Sequence, residues 1–247
     1  MNFRTTLFLL ATLTVVACSS PKSSTYRRPL SAVPVQKDTT SSRTSLPTNP
    51  LAIPNESAAS VAIAIEDTTF VNLKDFSNDF VYSMKYATTD NFLKSKVYQC
   101  EACYLRYKTV KALLNANEKF MKRGYRILLF DCYRPTDIQK KMWEIVSNPK
   151  YVADPKKGSI HNRGGAVDIG LVTENGAEVD MGTPFDFFGI EASHDYENIS
   201  EEVHQNRKLL RKIMTQNNFR IFESEWWHYN LKNSNKDKLS NFKWDCP

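Results

Sequence analysis

The sequence of 247 residues lacks several features that would assign it to a simple class of protein. Outside the N-terminus it has no apolar run long enough to matter for a membrane. Its five cysteines are too few for a small scaffold built from disulfides. A hydrophobic share of 41% excludes a fully disordered chain, and the length allows one large domain or two small ones.

Positive charge is not concentrated in the way that nucleic-acid binding requires. The net charge of +6 comes from 33 Lys and Arg against 27 Asp and Glu. Residues 1–66 hold six of the basic and three of the acidic side chains, which leaves 27 and 24, a net charge of +3, for residues 67–247. No cluster of Lys and Arg there is interleaved with aromatic residues. We therefore expect no nucleic-acid partner.

The N-terminus has the pattern of a secretory signal. Arg4 supplies a positive charge, and residues 5–16 form an apolar stretch too short to span a bilayer. The stretch ends in Val15-Val16-Ala17-Cys18, which resembles the lipobox of bacterial lipoproteins. We predict a signal peptide at residues 1–17, lipidation of Cys18, and an exported lipoprotein anchored to a membrane and facing the periplasm or cell envelope. An ordinary cleaved signal with a chance cysteine is the alternative.

A polar segment separates the signal from the rest of the chain. Residues 19–60 hold 21 Ser, Thr and Pro among 42 positions and no glycine. Such a composition cannot bury enough apolar surface to offset the entropy of ordering, so we predict a disordered tether over residues 18–66. At about 5–6 Å times the square root of its length, the tether reaches on the order of 35 Å. Residues 67–247 are predicted to form one domain.

Apolar patterns in this domain predict both strands and helices. Short apolar runs predict strands at residues 70–73, 80–84, 125–133, 166–171, 219–222 and 228–231. Helical stripes predict helices at residues 107–123 and 136–146 and a third one capped by Ser200. The elements follow in mixed order without a regular βαβ rhythm, so the predicted class is α+β.

Four cysteines belong to the predicted domain: Cys100, Cys103, Cys132 and Cys246. In an oxidising compartment they are expected to form one or two disulfides, and three full pairings are possible. The CxxC spacing of the first two could instead indicate zinc. A structural zinc site needs four ligands, however, and no second CxxC or suitable pair of histidines accompanies it.

Two segments hold candidate metal ligands. SIHNRGGAVD (residues 159–168) contains His161 and Asp168 on either side of a glycine pair, and EWWHY (residues 225–229) contains His228. Two imidazoles and one carboxylate form the protein part of a catalytic zinc site, and Glu225 is a spare carboxylate that could act as a base. Joint action of residues 225 and 228 requires a bend between them, because they would face opposite ways on a straight strand. Each histidine alone could equally be a core or surface residue.

Arg134 is a candidate for stabilising negative charge. It stands at the end of the apolar run YRILLFDCY (residues 125–133) and is followed by a proline, which places it well to project into a cleft. A guanidinium is a permanent, planar donor that suits the oxyanion of a tetrahedral intermediate. The alternative is a surface salt bridge.

The ordered set SxHxxGxAxD (residues 159–168), YRP (133–135) and EWWHY (225–229) resembles the VanX-type D-alanyl-D-alanine dipeptidases. These are zinc D,D-peptidases related in fold to the hedgehog N-terminal domain. The resemblance covers nearly all of the predicted domain. It implies a single α+β domain with a small, mostly antiparallel sheet flanked by helices.

Site residues follow from this resemblance. It implies one Zn²⁺ per chain, bound by His161, Asp168 and His228. Glu225 would be the general base that activates the zinc-bound water and later protonates the leaving amine. Arg134 would stabilise the developing oxyanion.

The resemblance also implies a substrate and a reaction. The enzyme would hydrolyse the D-alanyl-D-alanine dipeptide to two D-alanine in peptidoglycan metabolism. Asp186 would pair with the ammonium of the dipeptide, and Ser159 would help to hold the substrate. Two alternatives remain: a D,D-carboxypeptidase acting on longer peptidoglycan stem peptides, and a catalytically silent metal-binding lipoprotein.

Overall fold

The structure, a computed structural model, describes residues 64–149 and 151–246. These residues contain helices α1 (Tyr107–Met121), α2 (Thr136–Ile145) and α3 (Glu201–Gln216). The strands are β1 (Phe70–Asn72), β2 (Val81–Tyr82), β3 (Tyr104–Arg106), β4 (Tyr125–Asp131), β5 (Ala166–Thr173), β6 (Phe219–Phe222) and β7 (Glu225–Leu231). The predicted signal peptide, Cys18 and all of the predicted tether except residues 64–66 lie outside the described residues.

Five of the strands form the main sheet, in the order β2-β4-β5-β7-β6. β2 runs parallel to β4, and the other pairings in this sheet are antiparallel. β1 and β3 form a separate antiparallel pair. The predicted α+β class with a small, mostly antiparallel sheet is therefore confirmed.

Helices α1 and α3 pack against the sheet and against each other. The buried residues Val110, Leu113 and Phe120 lie on one face of α1, and the chain after this helix turns at Gly124, whose φ is 78°. Ser200 caps α3 as predicted, because its side chain accepts a hydrogen bond from the Val203 backbone amide at 3.2 Å. Within residues 64–149 and 151–246, every helix is too short or too polar to cross a bilayer.

The buried strand β4 ends two residues before the end of the predicted apolar run, at Asp131. Tyr133 has left the sheet, and its backbone amide donates instead to the carbonyl of Tyr104 at 3.0 Å. Pro135 then precedes α2. Arg134 consequently lies in the loop at the end of a buried strand, where a side chain can reach a cleft beside the sheet.

The four cysteines of the domain form two disulfides, Cys100–Cys246 and Cys103–Cys132. This pairing resolves the alternatives that the sequence left open, and it commits both cysteines of the CxxC segment to disulfides. Because Cys132 directly follows β4, the second disulfide ties the end of that strand to the segment before β3.

Candidate active site

Three neighbouring strands place ionisable side chains in one row. In the sheet register, Asp168 on β5 lies opposite His228 on β7 and opposite Asp131 on β4. Side chains of directly paired residues project from the same face of a sheet. His161 comes from a short 3-10 turn before β5, and the glycine that ends this turn has a φ of 67°. The register of the sheet thus assembles residues that are far apart in the chain.

Three donor atoms converge at this row. His161 Nε2 lies 3.2 Å from His228 Nδ1 and 3.4 Å from Asp168 Oδ1. The distance from His228 Nδ1 to the same carboxylate oxygen is 2.9 Å. Two nitrogens and one oxygen within 4.8 Å of one another form a possible metal site. This is the protein donor set of a catalytic zinc, which keeps a further position open.

The outer ring nitrogen of each histidine has a hydrogen-bond acceptor. His161 Nδ1 donates to the carbonyl of Cys132 at 2.6 Å, and His228 Nε2 donates to Asn230 Oδ1 at 3.0 Å. These acceptors hold the outer protons, so the inner nitrogens are left to face Asp168. Outer partners of this kind orient metal-binding histidines. The residues present therefore fit a divalent metal.

The electrostatics of the cluster favour a positive charge at its centre. Burial lowers the pKa of His228, but the hydrogen bond and charge of Asp168 outweigh burial and raise this pKa to about 9. Burial opposes ionisation of Asp168, but interactions with His161 and His228 hold its pKa well below the usual value. A divalent cation satisfies the same demand for positive charge.

Glu225 lies beside the donor cluster, with Oε2 at 3.9 Å from His228 Nδ1. The register between β6 and β7 shifts after Ile221, so residues 226–228 have no partners on β6 and form a bulge on that side of β7. This bulge lies where the sequence requires a bend, and it lets residues three positions apart border one cavity. Burial raises the pKa of Glu225, and a carboxylate of raised pKa is a better proton acceptor at neutral pH.

Arg134 is buried, with 8% of its surface exposed, so it is not a surface ion pair. Its Nη2 donates to Asp131 Oδ2 at 2.7 Å and its Nη1 to Gln139 Oε1 at 3.0 Å. Its Nε is buried and has no partner among the described residues. A guanidinium has five N–H donors, so these two bonds leave donors free where the side chain borders the cavity.

The two predicted substrate-binding residues also border the cavity. Asp186 has a φ of 60° and accepts from the Tyr86 hydroxyl at 3.1 and 3.3 Å. Burial, together with the charge of Asp168, raises the pKa of Asp186 well above its usual value. A buried carboxyl of this kind can gain from an incoming ammonium. Ser159 Oγ lies 3.1 Å from the side-chain oxygen of Asn162, so this hydroxyl supports the turn before β5.

One cavity of about 370 Å³ brings together every candidate catalytic, metal-binding and substrate-binding residue named from the sequence. These are Arg134, Ser159, His161, Asp168, Asp186, Glu225 and His228. Aromatic side chains also line this cavity: Tyr86, Phe92, Tyr151, Phe188, Phe222 and Trp227. Residue types and the family resemblance name the members of this set, and the fold places them around one space.

Sequence reasoning missed three polar side chains of the site: Asp131, Asn230 and Tyr86. Each acts on another side chain, as a partner of Arg134, His228 or Asp186 respectively. Tyr86 reaches Asp186 from a distant segment, whereas Asp131 and Asn230 lie three and two residues from their partners and meet them only because of the local backbone geometry, which residue spacing does not reveal. Of the three, only Asp131 could have been noticed in the sequence, because a carboxylate at the end of an otherwise apolar strand is unusual.

Comparison with known proteins gives the family of the chain. The family model Peptidase_M15, described as D-ala-D-ala dipeptidase, matches residues 66–245. The chain belongs to the D-Ala-D-Ala dipeptidase family. It is 36% identical to the D-alanyl-D-alanine dipeptidase of Escherichia coli (strain K12) over 169 residues, 68% of this chain and 87% of that protein. It is 32% identical to the Enterococcus faecium D-alanyl-D-alanine dipeptidase over 187 residues, which cover 66% of this chain and 91% of that protein.

A solved structure of the LdcB LD-carboxypeptidase also matches, with 20% identity and a TM-score of 0.36 over 54% of this chain and 62% of that chain. This similarity is too low to support any conclusion. Membership of the dipeptidase family confirms the predicted resemblance and the prediction of a peptidase, which is a hydrolase. The family is one of metallopeptidases, and its members imply a small peptide substrate.

Proposed function

We propose that the protein is a zinc-dependent dipeptidase that hydrolyses D-alanyl-D-alanine to two D-alanine. One observation carries this proposal. In a chain of the D-Ala-D-Ala dipeptidase family, a single cavity is lined by a candidate metal cluster, a carboxylate of raised pKa and a buried arginine.

His161, Asp168 and His228 would hold the zinc. When bound there, zinc supplies a Lewis acid that polarises the scissile carbonyl and makes water more acidic. The hydrogen bonds to Cys132 and Asn230 orient the two imidazoles for this task. One Zn²⁺ per chain accounts for the complete donor set.

Glu225 and Arg134 carry the remaining steps. Glu225 accepts a proton from the attacking water as its oxygen bonds to the carbonyl carbon, and returns that proton to the leaving nitrogen when the C–N bond breaks. Arg134 donates hydrogen bonds to the oxyanion of the tetrahedral intermediate, a contribution of the order of 10²–10³-fold for one such donor.

Asp186 distinguishes a free dipeptide from a longer peptide. Its carboxylate would pair with the ammonium of D-Ala-D-Ala, a group that an N-linked peptide lacks. Aromatic side chains, among them Phe92, Phe188 and Trp227, border the same cavity and would restrict its width. Ser159 would help to hold the substrate, in addition to supporting the turn before β5.

A substrate panel tests this proposal. The zinc-loaded protein is incubated with D-Ala-D-Ala, with N-acetyl-D-Ala-D-Ala and with a pentapeptide stem, and released D-alanine is measured. We expect rapid release only from the free dipeptide, loss of release in Glu225→Gln, and a raised KM in Asp186→Asn. Preferential cleavage of the pentapeptide would indicate a D,D-carboxypeptidase. Zinc binding without hydrolysis of any of the three would indicate a silent metal-binding lipoprotein.

We also propose that the enzyme is exported and anchored to a membrane through a lipid on Cys18. The apolar N-terminal stretch that ends at this cysteine supports the proposal. Expression in a bacterium fed a labelled fatty acid tests it. The label is expected on the wild type, in the membrane fraction, and absent from Cys18→Ser. Equal labelling of the two proteins would contradict lipidation at this residue.

A further inference from the structure

Asp131 is a buried carboxylate to which the proposed function gives no task. It ends β4, has no exposed surface, and lies opposite Asp168 in the sheet register. Its carboxylate accepts hydrogen bonds from Arg134 Nη2 at 2.7 Å, the Tyr98 hydroxyl at 2.8 Å and the backbone amide of Cys132 at 2.9 Å. Two donors from the loop that follows β4 and one from Tyr98 hold this carboxylate in one orientation.

The guanidinium of Arg134 also has partners besides Asp131. Gln139 Oε1 accepts from Nη1 at 3.0 Å, while the amide nitrogen of Gln139 donates to the carbonyl of Ala153 at 2.7 Å. The guanidinium also lies 5.3 Å from the centre of the Tyr86 ring. Partners at both Nη atoms fix the plane of the guanidinium, and therefore the directions of the donors that remain.

Other carboxylates compete for the same arginine. Asp186 and Glu225 line the cavity with it, and the charge of Arg134 acts on both. A guanidinium released from Asp131 would be drawn towards one of them. Such a pair would occupy the proposed ammonium site or the proposed proton acceptor. Of these three carboxylates, Asp131 alone is not among the residues that line the cavity.

We propose that Asp131 is a positioning residue of this enzyme, which aims the free donors of Arg134 at the oxyanion. The inference rests on the proposed function, because it needs Arg134 to act in the transition state. Asp131 does not line the cavity, and its carboxylate also lies 3.7 Å from His161 Nδ1, so equal zinc content in the variants is needed to assign its effect to Arg134. Its loss should therefore lower kcat and leave KM nearly unchanged, as for an interaction made mainly in the transition state.

A double-mutant cycle on the full-length, zinc-loaded protein tests this inference. Asp131→Asn keeps the size of the side chain and removes its charge. We expect it to lower kcat for D-Ala-D-Ala by about 10–100-fold, the usual effect of losing such a partner, with KM changed less than about threefold. In the Arg134→Ala background the same substitution should change kcat by less than about twofold. An equal fall in both backgrounds would overturn the proposal, as would an unchanged kcat in the single variant.

Controls separate positioning from folding. Asp137→Asn removes an exposed carboxylate of α2 that pairs with Lys243, and should leave kcat unchanged. Zinc content should be equal in all variants. If Asp131→Asn shows no cooperative unfolding, Tyr98→Phe replaces it in the cycle, since it removes one hydrogen bond to Asp131 and keeps the charge. A fall in kcat that is equal in both backgrounds again refutes the proposal. A wild type without dipeptidase activity contradicts the proposed function itself.

Discussion

The two disulfides are expected to separate stability from activity. Cys103–Cys132 adjoins the candidate metal cluster, because the carbonyl of Cys132 accepts a hydrogen bond from His161 Nδ1 at 2.6 Å. Cys100–Cys246 has neither cysteine among the residues that line the active-site cavity. Replacing each pair with alanine therefore removes a cross-link close to the site in one variant and away from it in the other.

The loop lengths give the expected loss of stability. In the chain-entropy model, the separation of 146 residues between Cys100 and Cys246 corresponds to about 5 kcal/mol of unfolding free energy. The separation of 29 residues between Cys103 and Cys132 corresponds to about 3.6 kcal/mol. The disulfide farther from the site thus contributes more to stability, and the effects on activity should have the opposite order.

Urea unfolding and release of D-alanine measure the two quantities. Cys100→Ala with Cys246→Ala should lose more unfolding free energy and keep kcat within about twofold. Cys103→Ala with Cys132→Ala should lose less unfolding free energy, yet show zinc affinity or kcat lowered by about 10-fold or more. Kinetics are measured where both variants are folded. A kcat loss that follows the loss of stability, or a Cys103/Cys132 variant with normal zinc affinity and kcat, would refute this reasoning.

Three further expectations concern single side chains. Asn230→Leu removes the acceptor of His228 Nε2 and should weaken zinc binding about 10–100-fold in a chelator competition, whereas Asn230→Asp keeps an acceptor and should retain binding. Burial lowers the pKa of His194 to about 4, below the 6.5 of an unperturbed histidine, so the unfolded chain binds this proton more readily. The unfolding free energy should accordingly fall as the pH drops from about 6.5 towards 4, less so in His194→Gln. Ser200→Ala removes the cap on the Val203 amide and should cost about 1 kcal/mol in urea unfolding.

Each of these has a clear contrary outcome. Equal zinc affinity in the leucine and aspartate variants at position 230 would show that the histidine needs no outer partner. The same pH dependence of stability in the wild type and His194→Gln would show that this histidine does not titrate as its burial requires. Unchanged stability in Ser200→Ala, with Thr215→Ala as a control at the other end of α3, would show that the cap is replaced by water.

Local features of the fold follow from the sequence because they depend on neighbours in the chain. The helical stripe at residues 107–123 corresponds to α1, and the Ser200 cap starts α3 as predicted. Strand limits are less well predicted. The run 125–133 exceeds β4 by two residues because the sheet register, and not apolar character, decides where pairing ends.

The candidate site likewise has features that the sequence predicts and features that only the structure shows. The residue types at positions 161, 168, 225 and 228 suit a catalytic metal, but each histidine alone could equally be a core or surface residue. The resemblance of the motifs to the dipeptidases is what implies metal-assisted hydrolysis. The sequence could only state that a bend must lie before position 228. The structure supplies it as a bulge, formed where the pairing of β6 with β7 slips.

The sequence by itself predicted the class of fold, pointed to the family through its motifs and named the candidate site residues, because these depend on residue identity and local pattern. Tertiary structure alone decided the pairing of four cysteines, the acceptors that orient both imidazoles, and the position of Asp131 beside Arg134. The disulfides and the contact of His161 with Cys132 join segments that are distant in the chain, whereas Asn230 and Asp131 lie two and three residues from their partners and meet them only because of the local backbone geometry. No pattern in a single sequence predicts these contacts, so only the tertiary structure shows them.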